Sequence, residues 1–164
     1  MDYELNDMVR IRAMREDRSA AGLVAARRVV SRAQEALELS RRNLAEYEAT
    51  KESRRNRIFA AVVGRAVTMD ELDLAREGIA RIDEEGILKA DNALRAEAEL
   101  KKRRDEAEVC HMAFVSASKR RMKIAEHRVA WEIEEEAASE RRQEVELEDF
   151  SGKKVADDAE PDES

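Results

Sequence analysis

Apolar residues recur at heptad spacing through the first part of the chain, at Val9, Leu23, Val30, Leu37, Leu44 and Ile58. Companion positions three residues further on hold Ala26, Ala33, Tyr47 and Ala61. A stripe this narrow, with this period, is the pattern of a helix that wraps around another helix. Arg12 and Glu16 interrupt it near the start, and Lys51 and Arg54 interrupt it further on. The pattern stops near Val62, at Val63 Gly64 Arg65 Ala66 Val67, and a second long helical pattern begins after Thr68. Thr68 Met69 Asp70 Glu71 fits a capping box that starts the second helix, and Gly64 is placed to close the first in a left-handed conformation.

The second pattern carries Leu72, Ala75, Ile79 and Ile82, then Ala93, Ala96, Leu100, Ala107, Cys110, Phe114, Ala117 and Ile124. Between these groups the phase is disturbed: Gly86 and Lys89 fall on the seam, and Ile87, Leu88 and Leu94 lie beside it. A glycine in mid-helix costs on the order of 1 kcal/mol relative to alanine, so two geometries stay open. Either the helix runs straight through, or it kinks or breaks near Gly86 and leaves a short separate helix before it.

The expected fold is all-α: a long two-helix antiparallel coiled-coil hairpin with a short apolar bend and a disordered acidic C-terminal tail. The hairpin occupies residues 1–150, with arms over about 5–62 and 70–149, and the tail occupies 151–164. Antiparallel pairing places Trp131, the only tryptophan, near Tyr3, Leu5 and Met8. There it either closes the open end of the hairpin or anchors a partner. The bend is unusual in being apolar where turns are normally polar, so Val63, Val67 and Met69 either plug the hairpin's end or meet a partner.

Composition agrees with this picture. Charged residues make up 42 % of the 164 positions and aromatics 4 %, too little apolar material for the thick core of a globular fold of that length. The single proline, Pro161, lies in the tail and leaves both helical patterns unbroken. No run of apolar residues approaches the roughly 20 needed to cross a bilayer. Met1 Asp2 Tyr3 Glu4 lacks the basic and apolar regions of a signal peptide, so a soluble cytoplasmic protein without membrane insertion is expected. A lone cysteine, Cys110, excludes an internal disulfide.

Charge is uneven. Residues 1–64 hold 13 basic and 10 acidic side chains, residues 65–130 hold 14 of each, and residues 131–164 hold 4 basic and 14 acidic. The whole net charge of −7 therefore comes from the C-terminal end, which argues against nucleic acid as a partner. Lys101 Lys102 Arg103 Arg104 is balanced by Asp105, Glu106 and Glu108 and reads as a solvated face. Catalytic and metal-binding patterns are absent too. His111 and His127 stand sixteen residues apart with no ligand partners at metal spacing, and Cys110 and His111, as helical neighbours, face different ways. No cofactor and no enzymatic activity are expected.

Two long charged arms, a short apolar bend, and a late tryptophan followed by an acidic stretch, from Ala130 Trp131 Glu132 to Glu144 Val145 Glu146 Leu147 Glu148 Asp149 Phe150, resemble the YscO type of type III secretion stalk protein, related to flagellar FliJ. The resemblance covers nearly the full chain and carries no catalytic motif. It implies a monomeric axial stalk at the cytoplasmic face of the secretion apparatus. The end with both termini, with Leu5, Trp131, Arg141 and Arg142, would meet the hexameric secretion ATPase. The bend, with Val63, Val67 and Met69, would meet the export gate protein, and export chaperones are a further implied partner. Two other readings of the residues stay open: a coiled-coil scaffold or holding chaperone unrelated to secretion, which clasps partners with the bend, and a homodimer whose arms pair between chains.

Overall fold

The structure, a computed structural model, describes residues 3–157, with side chains as far as residue 148. It consists of two helices, α1 (Asn6–Val62) and α2 (Met69–Asp157), joined by a short bend and packed against each other as an antiparallel hairpin. Packing divides the pair into two units. One is Ser19–Ala113 and contains the bend; the other is Met1–Arg18 with Phe114–Ser164. α2 continues as helix past residue 149, where the sequence pattern placed the end of the arm, and the rest of the expected tail, 158–164, lies outside the described residues.

In the bend unit the buried side chains are Leu23, Leu37 and Tyr47 of α1 and Ile82, Ala93 and Leu100 of α2. With only two helices there is one seam to bury, and most apolar residues off it remain in water. Ile87, Leu88 and Leu94, beside the seam, are 70 %, 59 % and 65 % exposed.

α2 is unbroken at Gly86, so no short separate helix precedes it. The reason lies across the seam. A Cβ at Gly86 would stand 3.2 Å from Cε1 of Tyr47, so the glycine leaves the room that the tyrosine ring fills. Tyr47 is only 3 % exposed, and its hydroxyl donates a hydrogen bond to the backbone carbonyl of Ile82. That carbonyl already serves the helix ladder, and the phenol uses its second lone pair. Gly78 repeats the arrangement one step nearer the bend, where a Cβ would lie 3.0 Å from Cδ1 of Ile58.

The polar residues that seemed to disturb the seam are accommodated the same way. Lys89 keeps the heptad register, with its ammonium 5.5 Å from the centre of the Tyr47 ring and 3.8 Å from the Glu85 carboxylate. Lys51 on α1 pairs with Asp83 at 3.2 Å, and Arg55 reaches the same carboxylate at 3.5 Å. The phase of α2 is therefore intact through residues 82–93, contrary to the sequence expectation.

One seam position is corrected. Beyond Tyr47 the half-buried residues of α1 are Lys51, Arg55, Ile58 and Val62, while Arg54 and Ala61 are exposed. A straight helix with 3.6 residues per turn drifts by about 20° per heptad, so the inward face moves on by one residue near the bend.

The glycines give a direct test. Gly86→Leu is expected to destabilise the chain by about 2 kcal/mol, because the added side chain displaces Tyr47 and costs its hydrogen bond. Gly22→Ala, with nothing within 4 Å of a built Cβ, should instead stabilise by about 0.5–1 kcal/mol through helix propensity. Urea unfolding followed by circular dichroism measures both; equal shifts of one sign would show that the Tyr47 contact does not govern the pairing.

Candidate functional site

In the bend unit, the turn between the helices satisfies its own backbone. Gly64 has φ of 81°, the left-handed conformation that closes α1. Thr68 and Glu71 form a reciprocal capping box: the Thr68 amide donates to Glu71 Oε2 at 2.8 Å, and the Glu71 amide donates to Thr68 Oγ1 at 3.2 Å. Arg65 stands 3.5 Å from the same carboxylate. The Thr68 amide above all holds the Glu71 carboxyl below its ordinary range; burial opposes it in part, and the charge of Arg65 and the Thr68 hydroxyl add smaller lowering effects.

With those groups committed to the turn, apolar side chains remain facing water beside them. Val63 is 70 % and Met69 67 % exposed, while Val67 is half-buried. Phe59 on α1 and Leu74 on α2 are exposed as well. Beside the turn lies a shallow recess lined by Arg57, Ile58, Ala61 and Val62 of α1, Arg65 of the bend, and Glu71, Leu74 and Ala75 of α2. The apolar character of the bend pointed to Val63, Val67 and Met69, and the sequence reading missed Phe59, Leu74 and the recess. Leu74 carried a readable signal, since it is a large apolar residue off the seam, between Asp73 and the pair Arg76 and Glu77.

In the unit that holds both termini, Tyr3 precedes α1 and folds onto α2. It is 6 % exposed, with its ring 5.2 Å from Trp131 and 5.8 Å from His127, centre to centre. A hydrogen bond of 2.7 Å joins its hydroxyl to Nδ1 of His127. The expected proximity of Tyr3 and Trp131 is thus present. His127, unassigned by the sequence, belongs to the same cluster, because it stands four residues before Trp131 on one helical face. Leu5 is 37 % exposed, and Met8, Ile11 and Met14 beside it on α1 are exposed too.

Glu16, a polar interruption of the α1 seam, is tied across the helices to Arg121 and keeps 13 % side-chain exposure. Hydrogen bonds from Arg121 first and Ser118 second hold its carboxyl below the ordinary value, outweighing desolvation.

Arg141 and Arg142 lie further along α2 and turn back on it. Arg141 donates to the Ala137 carbonyl at 3.1 Å, and Arg142 donates to the Ala138 carbonyl at 3.2 Å and to Glu135 at 2.7 Å. Their described contacts are all within α2, so the structure does not gather them with Leu5 and Trp131.

Among the described residues no three His, Cys, Asp or Glu side chains come together to hold a metal ion. What the geometry offers is surface: an apolar turn and recess in one unit, an aromatic cluster with apolar neighbours in the other.

The profile of the family described as "Type III secretion protein YscO" matches residues 5–153. The chain belongs to the YscO family. Among solved structures it is similar to the crystal structure of type III secretion protein YscO from Vibrio parahaemolyticus, with a TM-score of 0.82 and 20 % sequence identity, over 89 % of this chain and 92 % of that one. At that identity the likeness establishes the fold. No curated protein matches the chain. This YscO-family member is accordingly a type III secretion protein built as a helical hairpin, and among its described residues no helix is long and apolar enough to cross a membrane.

The cross-helix tie of Glu16 has a pH signature. Its folded-state pKa is depressed, so its contribution to stability is full above the ordinary value of 4.5 and is lost as pH falls through the folded value. An NMR titration of the Glu16 carboxyl should give a midpoint below 4.5, and Arg121→Ala should return that midpoint upward. A wild-type midpoint at or above 4.5 would mean that the pair is not formed in solution.

Proposed function

We propose that this YscO-family protein is a stalk of the type III secretion apparatus, linking the hexameric secretion ATPase to the export gate, with no chemistry of its own. In this reading it works as a monomer on the cytoplasmic face. The unit with both termini, including Leu5 and Trp131, meets the ATPase, and the bend meets the export gate; Arg141 and Arg142 add to the ATPase contact, and export chaperones are a further partner.

The observation that carries the reading is the bend. Val63 and Met69 stay 70 % and 67 % exposed on a turn whose backbone is already satisfied by Gly64, Thr68 and Glu71. Apolar side chains held out on a fixed turn suit a surface that is covered by a partner.

A holding chaperone that clasps clients with the same apolar bend is the competing reading, and one variant separates them. Changing Val63, Val67 and Met69 together to Ser should leave co-elution with the cognate ATPase and its stimulated steady-state hydrolysis unchanged while secretion is lost. Unchanged hydrolysis and no co-elution with the wild-type chain would remove the stalk reading. Loss of client holding by the triple variant, with the ATPase indifferent throughout, would establish the chaperone.

A further inference from the structure

In the unit that holds both termini, α2 runs on past Trp131, against which Tyr3, the first described residue, already stands. Residues 132–148 therefore have no described α1 residue opposite them. Charge changes sign along this part of α2. Residues 119–128 hold 5 basic side chains and 1 acidic, and residues 132–148 hold 2 basic and 8 acidic. Lys119 and Lys123 in the first block, and Glu140 and Glu144 in the second, are exposed and make no ion pair among the described residues. Between them, Met122, Val129 and Ile133 are 58 %, 55 % and 62 % exposed. Their spacing of seven and then four residues puts these three on one face of the helix, on the side opposite Trp131.

A helical face with an apolar centre, a basic end and an acidic end is complementary to itself when reversed. We propose that this face pairs two copies of the chain, α2 against α2 and antiparallel, about a two-fold axis that sets Val129 of each copy against Ile133 of the other. The same register sets Lys123 across from Glu140 and Lys119 across from Glu144 of the other copy, each within one residue of direct opposition. The axis repeats every contact, so the pairing is isologous and closes at two chains. Parallel pairing would put base on base and acid on acid, and a partner helix of one sign would suit one end of the face and be repelled by the other. A reversed second copy suits both ends. The pairing does not depend on the stalk reading. In that reading it is a stored form, which covers the terminal unit and must part before the monomer meets the ATPase.

Sedimentation velocity of the full chain over a wide range of concentration, at low and at moderate salt, tests the proposal. The mass should rise toward that of two chains with concentration, and less so at the higher salt, because exposed ion pairs are screened. Val129→Glu should raise the dimer Kd about tenfold or more, by placing a charge at the apolar centre. Val109→Ser, at an exposed valine elsewhere on α2, should leave Kd unchanged. The double variants Lys119→Glu with Lys123→Glu, and Glu140→Lys with Glu144→Lys, set like charges across the axis and should each stay monomeric. Mixed together they should form a dimer, since each supplies the charges that the other lacks. All these side chains are exposed, so the variants should keep the wild-type helical content and melting temperature. A wild-type chain of single mass at every concentration would overturn the pairing, and so would a dimer that both charge variants retain. Either result leaves the stalk reading standing, because that reading is decided by hydrolysis and co-elution with the ATPase.

Discussion

Two helices alone have one interface, and its register must be fixed without a third layer to lean on. The pairing of Tyr47 with Gly86 does most of this. A large ring needs a gap opposite, the only glycine within reach supplies it, and the hydroxyl at the ring's end finds the Ile82 carbonyl one turn away. Sliding α2 by a heptad would drive the ring into a side chain and strand its hydroxyl in a dry seam. Burial of the ring and satisfaction of its polar tip therefore demand the same register, and Ile58 opposite Gly78 agrees with them.

Charge supports the same choice at lower energy. Residues 19–62 of α1 carry 9 basic and 5 acidic side chains, and residues 69–113 of α2 carry 8 basic and 13 acidic, so within this unit α1 is positive and α2 negative. Arg41–Glu97, Lys51–Asp83, Arg54–Glu85 and Arg55–Asp83 all place the base on α1 and the acid on α2. Such partly exposed pairs contribute up to about 1 kcal/mol each, too little to hold the helices together. They act instead on choice: α1 against a second α1 would face base with base, so α1 selects α2 as its partner helix.

The fold was legible in the sequence because a heptad seam, one glycine and a capping box are local signals, and each had a single structural solution. The continuity of α2 was not, because the role of Gly86 depends on a residue 39 positions away, and no local rule connects it to Tyr47. The same limit applies to Lys89 and Glu16, which read as flaws in a stripe and are cross-helix contacts. Of the surfaces, the apolar turn was visible as composition out of place and the Tyr3–Trp131 contact followed from antiparallel pairing. The recess was invisible, since it needs the one-residue drift that turns Val62 inward and leaves Ala61 at its edge. Neither residue is unusual by itself.

The bend joins these arguments. Turns are normally polar because their unpaired amides and carbonyls need side-chain partners, and Asn, Asp and Ser provide them. Here one glycine and one Thr–Glu pair meet that need, so the remaining positions are free of it and have been filled with Val63, Val67 and Met69. A turn fixed by its own hydrogen bonds also loses little freedom when something docks on it, so a modest apolar contact retains most of its free energy as affinity. That economy suits a protein made of one seam. Rigid local chemistry at the turn, rather than depth, is what lets so thin a fold present a specific surface.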